Sequence, residues 1–152
     1  MKSEKGQSLF EVVVAIAISA LIVVTLVSVT SNSIQNSSFS KNKSLAATYA
    51  DQASEWIRSQ RDTNIDILVT KATNGGTFCL PDLSSWPASA SDVASCTAIS
   101  NTPFTRSVSL GVYSDLSSGK NVISSDVLVT WQDSQGMHEV ADDTTLVDLR
   151  QR

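Results

Sequence analysis

From Leu9 to Val29 the chain is apolar except for Glu11 and the small hydroxyls of Ser19, Thr25 and Ser28. Coiled as a helix, that stretch measures about 30 Å, the thickness of a bilayer's hydrocarbon core. Lys2 and Lys5 precede it, so the positive-inside rule puts the N-terminus in the cytoplasm and the rest of the chain outside. Three readings compete. A secretory signal needs a short apolar region and then a small-x-small cleavage site, and Val27-Ser28-Val29-Thr30 is a poor one. A plain signal anchor leaves Glu11 unexplained. Cleavage before the run, between Gly6 and Gln7, leaves the helix on the mature protein with Glu11 as its fifth residue.

The residues around that bond carry a resemblance. Lys5-Gly6-Gln7-Ser8-Leu9-Phe10-Glu11, followed by Val12-Val13-Val14-Ala15-Ile16-Ala17-Ile18, resembles the processing site and helix start of type IV pilins and type II secretion pseudopilins. The resemblance implies a basic leader, residues 1–6, ending in Gly6. It implies prepilin peptidase as the enzyme that cuts there, Gln7 as the new and N-methylated terminus, and Glu11 as the family's assembly glutamate. Two features depart from the common pattern. Gln7 stands where Phe or Met is commoner, and the run holds no proline such as many major pilins carry.

An ionisable residue in a membrane segment is functional by default, and its partner should be named. Glu11 lies too far along a straight helix to reach its own Gln7 amine comfortably, but it reaches that of a neighbouring subunit. An unpaired charge in an apolar filament core costs several kcal/mol, so such a pair sets axial register as well as attraction. The competing reading is a glutamate that snorkels to the lipid headgroups. Ala15, Ala17, Ser19 and Ala20 are small enough for helices to approach closely, as any transmembrane helix requires.

Beyond residue 30 the composition turns to Ser, Thr, Asn and Asp. Residues 30–44 hold no Pro or Gly, which predicts a continuing helix; a flexible linker is the alternative. Leu45, Ala46, Tyr49, Ala50, Ala53, Trp56 and Ile57 recur at helical spacing, with Asp51, Gln52, Glu55, Arg58 and Ser59 on the other face. Asp62-Thr63-Asn64 reads as coil. The expected organisation is therefore a leader at 1–6, a membrane or filament-core helix at 7–30, and its continuation at 31–61. A globular β domain at 62–152 follows. Residues 53–62 also resemble the helix end of minor pilins.

In the C-terminal half, Gly75-Gly76 predicts a turn and Thr77–Leu80 a strand. Residues 81–103 hold all three prolines and read as a long loop, which Cys79 and Cys96 could clip. Outside the cytosol the two cysteines read most simply as a disulfide, contributing roughly 3 kcal/mol by the chain-entropy model; two unrelated buried thiols are the alternative. Phe104 to Tyr113 alternates as an inward-facing strand, with Arg106 anomalous on the apolar face and expected at a sheet edge or in a salt bridge. Ser117–Lys120 reads as a turn and Val127 to Gln132 as a strand. Asp133-Ser134-Gln135-Gly136 reads as a hairpin turn, and Met137–Val140 and Thr144–Leu149 as return strands. The class is α+β: a long N-terminal helix packed on a small antiparallel β-sheet. Val127-x-Val129-x-Trp131, a Gly turn and Thr144-Thr145-Leu146 resemble the C-terminal sheet of minor pilins and pseudopilins.

A net charge of −4 and a pI near 4.8 argue against a nucleic-acid partner. There is no phosphate loop and no His beside a nucleophile, and His138 is the single histidine, so neither catalytic nor metal residues are named. Asp142 and Asp143, beside Asp133 and Glu139, read as a solvated acidic turn in preference to a calcium site. Trp131 reads as core, and Trp86 as the better candidate for exposed, partner-binding surface. The expectation is a non-enzymatic, single-pass subunit of a type IV pilus-like filament, most like a minor pilin. Its partners would be other pilin subunits, prepilin peptidase and the assembly machinery in the membrane, with no cofactor. A pseudopilin of type II secretion or DNA uptake is the alternative, followed by a membrane-anchored exported binding protein or enzyme that never polymerises.

Overall fold

The computed structural model describes residues 5–114 and 121–147. One helix, α1, runs Lys5–Asn74. Four strands follow: β1 Gly76–Cys79, β2 Thr105–Ser114, β3 Asn121–Asp133 and β4 Gly136–Val147. They form one antiparallel sheet in the order β1-β2-β3-β4, a meander, and the helix packs on it: the class is α+β and pilin-like. By contacts the chain divides into two compact units, residues 1–41 and 42–152.

In the first unit every described side chain from Leu9 to Phe10 and on through Val29 is exposed. The helix is regular through residues 31–44, so this stretch is helix and not a flexible linker.

The core lies in the second unit. Ala46, Ala50, Ala53 and Ile57, spaced four and three apart, are fully buried, flanked by the half-buried Tyr49 and Trp56. Alanines on this stripe let the sheet come close, and the sheet supplies the bulk. Phe104, Val108 and Leu110 of its second strand region face the helix beside Ile123, Val127, Val129 and Trp131 of β3 and Leu146 of β4. Trp131 is core, 2% exposed. Its ring lies 5.8 Å from Phe104, whose ring lies 5.4 Å from Tyr49.

Three expectations are corrected. The helix does not end near residue 61. At Asn64 the backbone leaves helical values (φ −151°, ψ 77°), then the Asn64 Oδ1 accepts from the Ile67 N–H at 3.4 Å and a further segment starts. Asp62-Thr63-Asn64 is thus a break with a cap, the other use of the same side-chain chemistry. The segment is held because Leu68 and Ala72, one turn apart, are buried. It ends at Gly75, whose φ of +64° suits glycine and whose N–H bonds the Ala72 carbonyl at 3.1 Å.

Secondly, β4 is one strand and not two. Its register against β3 is unbroken from Val122↔Val147 to Asp133↔Gly136, and Asp142 and Asp143 lie inside it. An acidic pair breaks a strand only if one carboxylate is buried without a partner, and Asp142 on the helix side accepts a hydrogen bond from the Ser54 hydroxyl. Leu149 and the expected turn at Ser117–Lys120 lie outside the described residues.

Thirdly, Arg106 is not at an edge, and among the described residues it makes no salt bridge. β2 is flanked by β1 and β3, and Arg106 is 3% exposed. Its Nε donates to the Leu80 carbonyl at 2.9 Å and its Nη1 to the Tyr49 carbonyl at 3.1 Å. Burial lowers the guanidinium pKa from its ordinary value, opposed by Tyr49 and Asp82, but arginine stays charged.

Candidate functional site: the N-terminal segment

The residues singled out by the sequence lie at the start of α1. The helical backbone already includes Lys5, so the Gly6–Gln7 peptide bond sits in its first turn. First-turn N–H groups have no intrahelical partner, and this end frays most readily. Glu11 is two turns in and exposed. Among the described residues nothing of this chain pairs with it.

The helix that follows is long and apolar enough to cross a membrane. Its hydroxyls do not spoil that. Ser19 Oγ donates to the Ala15 carbonyl at 2.8 Å, Thr25 Oγ1 to Ile22 at 2.8 Å and Thr30 Oγ1 to Leu26 at 2.9 Å. Each buries its donor against the helix's own backbone, which lowers the penalty of apolar surroundings. On one face Val12, Ala15, Ile16, Ser19, Ala20, Val23 and Val24 line a shallow apolar depression. Such a segment fits a membrane-anchored protein.

The other candidates lie in the second unit. Cys79 and Cys96 are joined, with S–S 1.95 Å and Cα–Cα 5.2 Å. The bond ties the end of β1 to the turn after a short 3₁₀ segment, Val93–Ser95. Trp86 is no free surface ring. It is half-buried, 4.8 Å from the Trp56 ring and 6.0 Å from Phe78, with Nε1 enclosed and without a hydrogen-bond partner among the described residues. Lys71 holds the same loop from the helix, donating to the Pro87 carbonyl at 2.6 Å and lying over Phe78.

The acidic residues read as one turn are instead dispersed. Asp142 faces Ser54, and Asp143 lies on the opposite sheet face across from Asp126. Asp133 sits at the hairpin, 2.9 Å from His138 Nε2. Its carboxyl pKa is lowered, first by the Gln135 N–H and further by His138. Among the described residues no three His, Cys, Asp or Glu side chains converge as a metal site requires. Sequence reasoning did not single out the outer edge of β4. Its signal was the even alternation from Met137 to Val147, hidden by the acidic pair.

No curated protein and no solved structure matches the chain. Residues 1–27 match the family model of the prokaryotic N-terminal methylation motif, and so the chain carries the prepilin-type signal by which type IV pilins and pseudopilins are substrates of prepilin peptidase.

Proposed function

We propose that the chain is a structural subunit of a type IV pilus-like filament, in the manner of a minor pilin. The observation that carries this is the methylation-motif match over residues 1–27, with Glu11 on the continuous helix that follows it. In this reading the leader is cut between Gly6 and Gln7, with the first turn unwinding to admit the peptidase. The Gln7 amine is then methylated. The helix anchors the subunit in the cytoplasmic membrane, N-terminus inside, until the assembly machinery draws it into a filament. There the Glu11 carboxylate neutralises the Gln7 ammonium of an adjacent subunit. Either charge alone in a bundle of apolar helices costs several kcal/mol, so the stagger that pairs them is favoured over others. The shallow depression lined in part by Ala15, Ser19 and Ala20 supports close approach of such helices.

The test is the mature terminus. Mass spectrometry of the protein from cells with an active prepilin peptidase should find a chain that starts at methylated Gln7. Peptidase-deficient cells should retain Met1–Gly6. A chain that keeps its first six residues in both would overturn the reading. Glu11→Leu should be processed and stay in the membrane, yet be depleted from sheared filaments at least roughly tenfold. Normal incorporation would remove the charge pair from the mechanism.

A further inference from the structure

The sheet has two edges, and they are treated differently. On the β1 side the long loop covers the edge: the Ser91 N–H donates to the Thr77 carbonyl at 2.8 Å. On the other side β4 is 12 residues long and, among the described residues, pairs only with β3. Among the described residues no main-chain hydrogen bond from loop or helix reaches it. Proteins ordinarily blunt such an edge with charged side chains, Lys above all, with Pro, a bulge or a covering segment. Residues 136–147 contain no Pro, Lys or Arg, and the register with β3 has no bulge. The one inward charge, Asp142, is satisfied by Ser54.

The exposed face of this edge carries a charge pattern. Met137, Glu139, Ala141, Asp143, Thr145 and Val147 alternate as its exposed residues. Glu139 and Asp143 lie four residues apart on that face, and no salt bridge among the described residues reaches either. Asp126 stands directly across from Asp143 on β3. Its carboxyl pKa is raised, first by burial and then by Asp143 and Glu139.

That pattern weighs against a second copy in the registers centred on Ala141, Asp142 or Asp143. In a two-fold antiparallel pairing of β4 with its own copy, centring on Ala141 sets Glu139 against Asp143 twice. Centring on Asp142 or Asp143 sets that residue against itself. Like charges directly opposite are destabilising. An extended strand with cations at two same-face positions four residues apart meets Glu139 and Asp143 instead. We propose that the free edge of β4 receives an extended segment of another protein, bearing Lys or Arg at that spacing, as a fifth strand. Main-chain hydrogen bonds supply the affinity, and the two carboxylates select the sequence and its register. This does not depend on the filament reading.

The experiment uses the full-length chain in detergent micelles and the peptide Thr-Lys-Val-Thr-Val-Lys-Thr, with amide hydrogen exchange and titration calorimetry as readouts. The peptide should slow exchange in residues 136–147 and leave α1 unchanged. E139K/D143K, both exposed substitutions, should weaken it at least roughly fivefold and prefer the same peptide with Glu for Lys. A peptide of equal charge with Pro for all three residues between the two Lys, which removes the ladder donors in either strand direction, tests the wild type directly, whatever the variant's folding. It cannot complete the ladder and should not protect β4. Three results would overturn the proposal. They are no protection at saturating peptide, equal binding of the Pro peptide, and concentration-dependent protection of β4 without peptide, which would assign the edge to a second copy.

Discussion

Arg106 shows how one residue can be legible in kind and misplaced in role. Its position among Phe104, Val108 and Leu110 marked it as anomalous on an apolar face, and an edge or an ion pair was the economical expectation. The structure satisfies the guanidinium with backbone carbonyls. Arg106 and Leu80 exchange two bonds, Nε to the Leu80 carbonyl at 2.9 Å and the Leu80 N–H to the Arg106 carbonyl at 2.8 Å, while Nη1 reaches the helix at Tyr49. One side chain thus joins helix, sheet and the start of the disulfide loop. Which carbonyls come within reach depends on chain segments far apart in sequence, so no local pattern announces it. Arg106→Met should lower unfolding free energy by about 1–3 kcal/mol, because it leaves the buried Leu80 carbonyl without its partner. Arg106→Lys should fall between, since a single ammonium cannot serve both carbonyls with the geometry of the fork. Urea denaturation of the three proteins checks this. A Met variant as stable as wild type would mean that relief from burying the charge cancels the bonds.

Among elements, those with strong local periodicity were readable. The buried stripe Ala46, Ala50, Ala53 and Ile57 was visible as a 3.6-residue repeat, and β2 and β3 as alternation ending in Trp131. The meander followed from short turns between alternating runs. What failed were two breaks inferred from side chains that serve two purposes. Asn64 ends one helical segment and caps the next, so the same residue predicts a stop and permits a restart. Asp142 and Asp143 suit a turn in isolation, but a helix serine and an open strand face accommodate them. At the N-terminus the pattern Gly6, Gln7, Glu11 was legible because it is a motif of adjacent residues and needs no tertiary contact. The segment after Asn64 offers a test at this scale. Leu68 is completely buried, so Leu68→Ala should cost about 2–5 kcal/mol. Hydrogen exchange should quicken most in residues 65–74, because little besides Leu68, Ala72 and the Lys71 contacts holds that segment. Uniform acceleration across the sheet would show instead that the segment is an integral part of one cooperative core.

For the whole molecule, the decisive fact is where burial begins. No described hydrophobic residue before Ala46 is buried, whereas the second unit contains the complete set from Ala46 to Leu146. The described part of the first unit has no core of its own, as fits a membrane-anchored segment, and the second unit holds its own core and disulfide. These are separable physical problems. In the proposed filament reading, that separation lets one half exchange lipid for neighbouring helices while the other keeps its structure in water. The division predicts that residues 42–152, made alone in an oxidising compartment, fold as a monomer and unfold in one cooperative transition. Far-ultraviolet circular dichroism and tryptophan emission should report the same midpoint. Reducing Cys79–Cys96 should lower the unfolding free energy by roughly 3 kcal/mol, since the bond joins cysteines 17 residues apart and limits the freedom of the unfolded chain. The tryptophan signal should respond with it, because Trp86 lies in that loop against Trp56. Two different midpoints, or exposed apolar surface in the oxidised fragment, would mean that the sheet domain needs the membrane half to fold, and the two units would have to be treated as one.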